Sequence, residues 1–150
     1  MLKSGDKAPA IALVDQHGKK RTLEEFAKRK VLVYFYPKAD TPGCTQQSCL
    51  LSEIKTEIGR TVIIGISPDV PSKQLKFDTK YSLGFPLLAD EKHEVAKAYK
   101  VWKKKSMYGR EYMGIERSAF LIDGSGKILH AWYKISPKDT PAFLLEALGK

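Results

Sequence analysis

Two cysteines among 150 residues are too few to staple a fold, and three histidines, His17, His93 and His130, are too scattered to complete a metal site with them. Structural zinc takes four ligands, so the composition argues against a zinc-built domain and no metal is expected. Long apolar runs are also missing. None approaches the roughly 20 residues that span a bilayer, and the opening Met1-Leu2-Lys3-Ser4-Gly5-Asp6 turns polar before any signal core forms. No repeat, low-complexity stretch or linker interrupts the chain, so a single domain over residues 1–150 is expected, cytoplasmic and away from membranes.

Acidic residues are in deficit, 17 against 26 basic, for a net charge of +9. Such a balance can favour nucleic acid or acidic surfaces. The basic residues fall in short clusters, Lys19-Lys20-Arg21, Lys28-Arg29-Lys30 and Lys103-Lys104-Lys105, with no interleaved aromatics. They read as a solvated surface, and no nucleic-acid partner is expected. A basic binding module is the alternative from a different functional class, and it would bind with a steep salt dependence.

What the chain does have is 43% hydrophobic residues, enough for a core. Ala10–Val14 and Lys20–Leu23 flank the turn Asp15-Gln16-His17-Gly18 as an N-terminal hairpin. Val31-Leu32-Val33-Tyr34-Phe35-Tyr36 is continuous and β-branched or aromatic, the pattern of a central strand buried on both faces, with Pro37 ending it. Thr41 as N-cap and Pro42 at the first position open a helix expected to run to about Ile58-Gly59. Thr61–Ile66 is a second buried strand, Pro71–Tyr81 a helix, Phe85–Leu88 a short extended piece and His93–Tyr99 a short helix. Ala119–Asp123 and Ile128–Tyr133 flank Gly124-Ser125-Gly126 as a second hairpin, and Thr140–Leu148 is the closing helix. Parallel strands joined by crossover helices make an α/β three-layer domain. The order of elements is also that of the thioredoxin-like fold, a central mixed β-sheet flanked by helices.

The chemistry concentrates in Pro37-Lys38-Ala39-Asp40-Thr41-Pro42-Gly43-Cys44-Thr45-Gln46-Gln47-Ser48-Cys49. With Thr41 as the cap, Cys44 is the third helical residue and faces the unpaired amides and positive dipole end of the first turn. A thiol placed there favours the thiolate, the form that attacks an electrophilic oxygen to give a sulfenic acid. Cys49 lies five residues on. An intact helix separates such a pair by about 8–9 Å between Cα atoms, on different faces. A disulfide needs less than about 7 Å, so a Cys44–Cys49 bond requires the first turns to unwind. Two other readings exist for these residues: both cysteines as small buried hydrophobes, or a dithiol oxidoreductase. The latter is disfavoured because four residues, not two, separate the pair.

These residues resemble the peroxiredoxins, and within them the bacterioferritin comigratory protein or peroxiredoxin Q subfamily. The family pattern Pro-x-x-x-Thr-x-x-Cys is matched by Pro37, Thr41 and Cys44, and the longer subfamily form by Phe35 through Thr45. A second block fits at Val101-Trp102, Lys105-Ser106, Gly109, Tyr112, Gly114-Ile115, Arg117 and Phe120–Asp123, and Gly5–Pro9 is similar to the family's opening. One departure is Leu51-Ser52-Glu53, where relatives often carry a basic residue beside the acidic one. The resemblance implies a thiol peroxidase for hydrogen peroxide and organic hydroperoxides, needing no cofactor. It implies that Cys44 is the peroxidatic cysteine, that Thr41 hydrogen-bonds the thiolate and the peroxide oxygen, that Pro37 shields the pocket, and that Arg117 lies beside the sulfur from a separate strand. It also implies that Cys49 resolves the sulfenic acid as an intramolecular disulfide, that thioredoxin or a similar dithiol reductant reopens it, and that the protein is a monomer.

Overall fold

The computed structural model describes residues 1–150. A seven-stranded mixed sheet runs through it, built from β1 (Ala12–Asp15), β2 (Lys20–Thr22), β3 (Val31–Phe35), β4 (Val62–Ser67), β5 (Leu87–Ala89), β8 (Ser118–Ile122) and β9 (Ile128–Trp132), in the order β2-β1-β5-β4-β3-β8-β9. The helices are α1 (Pro42–Glu53), α2 (Pro71–Tyr81), α3 (Glu94–Ala98) and α4 (Thr140–Ala147). The remaining strands, β6 (Trp102–Met107) and β7 (Arg110–Ile115), form a separate two-stranded sheet. This is the thioredoxin-like α/β arrangement expected from the order of elements. No helix is long and apolar enough to cross a membrane.

Strand β3 is buried at every position, as its unbroken apolar run implies. Because side chains alternate along a strand, the sheet divides the interior in two. Val31, Val33 and Phe35 pack in one cluster with Phe26, Val95 and Phe120. Leu32, Tyr34 and Tyr36 pack in the other with Cys44, Leu51, Phe77 and Leu144. Strand β3 runs parallel to β4 and antiparallel to β8, with Phe35 opposite Ser118. The end of β3 that feeds α1 is therefore the end at which β8 begins.

Tyr34 faces Gly65 on β4. A Cβ at Gly65 would lie 2.9 Å from the Tyr34 ring and hydroxyl, so the missing side chain is what admits the phenol. Beneath α1 the Tyr34 hydroxyl shares a 2.7 Å hydrogen bond with Ser48, and burial pushes its ionisation far above the usual phenol range.

The observed elements depart from expectation at three places. Helix α1 stops at Glu53 and not near Ile58. Its end tightens through Ile54 N–H to Leu51, Lys55 N–H to Ser52 and Glu57 N–H to Ile54 carbonyls, while Ser52 Oγ and Lys55 Nζ both donate to the Leu83 carbonyl, at 2.8 and 2.7 Å. These i→i−3 turns still bury Ile54 and Ile58. A short 3-10 helix, Leu23–Phe26, follows the first hairpin and buries Phe26. Finally, the lysine-rich stretch after Val101, to which the pattern assigns no element, forms the β6–β7 hairpin. Tyr108 and Gly109 both have positive φ, as a two-residue turn with right-handed strand twist requires.

Candidate active site

Helix α1 presents Cys44, Gln47, Ser48 and Leu51 to the interior, the i, i+3, i+4, i+7 stripe of one helical face. Three of the four are polar or reactive, and each has a partner. Cys44 is 1% exposed, and its Sγ receives a hydrogen bond from Arg117 Nη2 at 3.2 Å. The second arm of the same guanidinium, Nη1, donates to Gln47 Oε1 at 2.7 Å. Gln47 Nε2 in turn donates to Thr140 Oγ1 at 2.9 Å, and Thr140 Oγ1 donates to the Ser136 carbonyl at 3.0 Å. No buried side-chain nitrogen or oxygen lacks a partner.

Arg117 sits between the end of β7 and the start of β8. Its own carbonyl accepts from Ile135 N–H at 2.9 Å, and the Glu116 N–H is held by the Val101 carbonyl at 2.8 Å. A Cβ at Gly43 would lie 3.2 Å from Arg117 Nη2 and 3.5 Å from Pro137 Cγ. Glycine before the cysteine therefore leaves room for the guanidinium over the first turn of α1.

The loop from β3 to α1 is fixed from below. Ala39 N–H donates to Asp69 Oδ2 at 2.7 Å, Ser67 Oγ donates to the same oxygen at 2.7 Å, and Gln74 Nε2 donates to Ser67 Oγ at 2.9 Å. The Tyr36 hydroxyl closes the chain onto Gln74 Oε1. Asp40, with a positive φ, receives the Tyr81 hydroxyl at 2.7 Å and Lys80 Nζ at 3.0 Å. Those two bonds hold its carboxyl below the usual range.

Of the residues singled out in the sequence, the structure brings Cys44 and Arg117 into contact. Pro37 is half-buried just beyond β3. Thr41 precedes α1 as expected, but its hydroxyl caps no amide. It donates to the Lys38 carbonyl at 2.7 Å, stabilising the turn that enters the helix instead of the helix itself. Cys49 is half-buried on α1, off the stripe that holds Cys44, and both thiols are free. Burial, followed by the charge of Glu53, raises the Cys49 ionisation above that of an ordinary thiol.

Sequence reasoning missed Gln47 and Thr140. Gln47 had a legible signal, since three residues past Cys44 is one turn along the same face. Lys105, on β6, is pushed down by burial and then by the charge of Arg117, against opposing influences of Glu116 and Cys44.

Known proteins match most of this chain. Residues 4–131 match the AhpC/TSA family. The chain belongs to that family, as a peroxiredoxin of the Bcp type. It is 42% identical to the peroxiredoxin Bcp of Bacillus subtilis over 149 residues, covering 98% of this chain and 95% of the relative. It is 47% identical to the peroxiredoxin Bcp of Escherichia coli over 133 residues, covering 87% and 85%. Among solved structures, the bacterioferritin comigratory protein of Xanthomonas campestris, studied for its alkyl peroxide reduction activity, superposes with a TM-score of 0.87 at 33% identity, covering 93% of this chain and 90% of that one.

Proposed function

We propose that this peroxiredoxin reduces hydrogen peroxide and organic hydroperoxides with Cys44 as the attacking sulfur. The Cys44 thiolate attacks one peroxide oxygen, the O–O bond breaks, and the departing oxide takes a proton and leaves as water or alcohol. Cys44 is left as a sulfenic acid. Cys49 then attacks that sulfur, hydroxide leaves with a proton as water, and an intramolecular disulfide forms. A dithiol reductant of the thioredoxin type reopens it by exchange.

The 3.2 Å contact between Arg117 and Cys44 carries this reading. A guanidinium at that distance stabilises negative charge on sulfur and, as the O–O bond breaks, on the departing oxygen. Gln47 holds the other arm of the guanidinium and so fixes its plane. The roles of Thr41 and Pro37 follow the family pattern: the Thr41 hydroxyl keeps lone pairs free beyond its bond to Lys38 and would turn toward the peroxide, and Pro37 would screen the sulfur from water. All these groups come from one chain, so a monomeric single domain suffices, and a reducing cytoplasm would keep both thiols free between turnovers.

Mass spectrometry after one equivalent of hydrogen peroxide tests the reading. The expected product is the native chain two hydrogens lighter, with one internal Cys44–Cys49 bond. Cys49→Ser should stop at the sulfenic acid after one turnover, and Cys44→Ser should consume no peroxide. Full peroxidase activity in Cys44→Ser would overturn the assignment.

A further inference from the structure

The two sulfurs cannot bond while α1 stays wound, because five helical residues hold their Cα atoms about 8–9 Å apart. Closing that gap changes backbone angles between Cys44 and Cys49, and Gln47 lies within that stretch. Its side chain is fully buried and bonded on both sides, to Arg117 and to Thr140. Thr140 is itself 1% exposed, and its hydroxyl hydrogen is committed to the Ser136 carbonyl, so it can only accept from the Gln47 amide. The same segment, through Pro137, lies against Gly43 on the first turn. Unwinding therefore has to strip Gln47 from α4 and from Arg117 together.

From this we infer that the Gln47–Thr140 hydrogen bond is a latch that sets how long the Cys44 sulfenic acid waits before Cys49 reaches it. The wait decides between two fates. Attack by Cys49 forms the disulfide and releases water. Attack by the sulfenate on a second peroxide breaks another O–O bond, releases water or alcohol, and leaves Cys44 oxidised by two further electrons as a sulfinic acid, which thiols do not reverse. A tight latch favours the second fate at high peroxide, and a loose one favours the disulfide. Gln47 and Thr140 are thus positioning residues for the resolving step, and the inference rests on the peroxidase reading above.

Thr140→Val keeps the shape of the side chain and removes the acceptor, leaving the Gln47 amide unpaired only while α1 is wound. Three quantities are read in the full-length protein: the rate of first oxidation and the rate of disulfide formation, both by stopped-flow tryptophan fluorescence, and the sulfinic fraction by intact mass after cycling with a dithiol reductant at high peroxide. The first oxidation serves as the reference that reports any loosening of Arg117. Disulfide formation should rise about fivefold, the factor expected for one hydrogen bond of ordinary net strength, and the sulfinic fraction should fall in step. Thr140→Ser, which restores the hydroxyl, should behave as native. Gln47→Met removes both bonds that unwinding must break and should also speed disulfide formation, so a Thr140→Val that failed to fold would leave the test intact. Native disulfide rates and sulfinic fractions in whichever variants fold would overturn the latch. Absence of any sulfenic acid in the native protein would instead overturn the peroxidase reading.

Discussion

Nη2 of Arg117 lies 3.2 Å from Sγ of Cys44, across 73 positions of chain. The two meet because β8 runs antiparallel to β3 with Ser118 opposite Phe35, so the residue before β8 stands where β3 hands over to α1. One guanidinium then serves both the sulfur and Gln47.

That double engagement makes lysine a poor substitute. A single ammonium cannot hold Gln47 and the sulfur in one plane. Arg117→Lys and Arg117→Met should both lower the second-order rate of peroxide reduction, the latter by about a hundredfold or more, as for loss of a donor to developing oxyanion charge. Stopped-flow oxidation by hydrogen peroxide measures this, and a native rate in Arg117→Met would refute the role.

Gly43→Ala places a methyl 3.2 Å from Arg117 Nη2 and 3.5 Å from Pro137 Cγ. The guanidinium and Pro137 must both give way. Peroxide reduction should slow about tenfold or more, since small displacements of reacting groups are costly, while circular dichroism should show an intact fold. An unchanged rate would mean that Arg117 adapts without penalty.

In the proposed resolving step Cys49 attacks as its thiolate, and burial, reinforced by Glu53, disfavours that form. With its ionisation raised, the thiolate fraction climbs only as pH rises past the ordinary thiol range. The disulfide-forming step should therefore accelerate from neutral into alkaline solution. Glu53→Gln removes the smaller of the two causes, so the rise should begin at slightly lower pH, without changing the first oxidation. A pH profile of disulfide formation that is flat across this range would contradict the assignment of Cys49 as the attacking group.

Gly65→Ala tests the packing under the site. Its methyl would meet the Tyr34 ring and hydroxyl at 2.9 Å and Leu87 Cδ2 at 3.0 Å, between central strands that cannot separate. The cost should be about 1–3 kcal/mol of stability in urea denaturation, the usual range for overpacking. The Tyr34–Ser48 bond should be disturbed with it.

Elements carried by local pattern were legible in advance. The all-apolar run of β3, the Thr41-Pro42 helix start and the Pro71–Tyr81 helix occupy the expected places. The β6–β7 hairpin was not, because Lys103, Lys104 and Lys105 give no apolar alternation. That hairpin is held by pairing of its own two strands and a positive-φ turn at Tyr108-Gly109. The end of α1 was misjudged because Lys55 and Ser52 turn toward the Leu83 carbonyl, a contact of tertiary origin.

By itself the sequence determined the placement of Cys44 at the start of a helix after a buried strand, because proline and apolar runs act over a few neighbouring residues. It also determined that Cys49 sits too far along that helix to bond without unwinding. Only the tertiary structure decided what surrounds the sulfur: Arg117 beside it, and Gln47 tied to Thr140, 93 positions away. Those partners depend on the order and register of strands in the sheet, which bring together side chains whose spacing along the chain carries no record of their meeting.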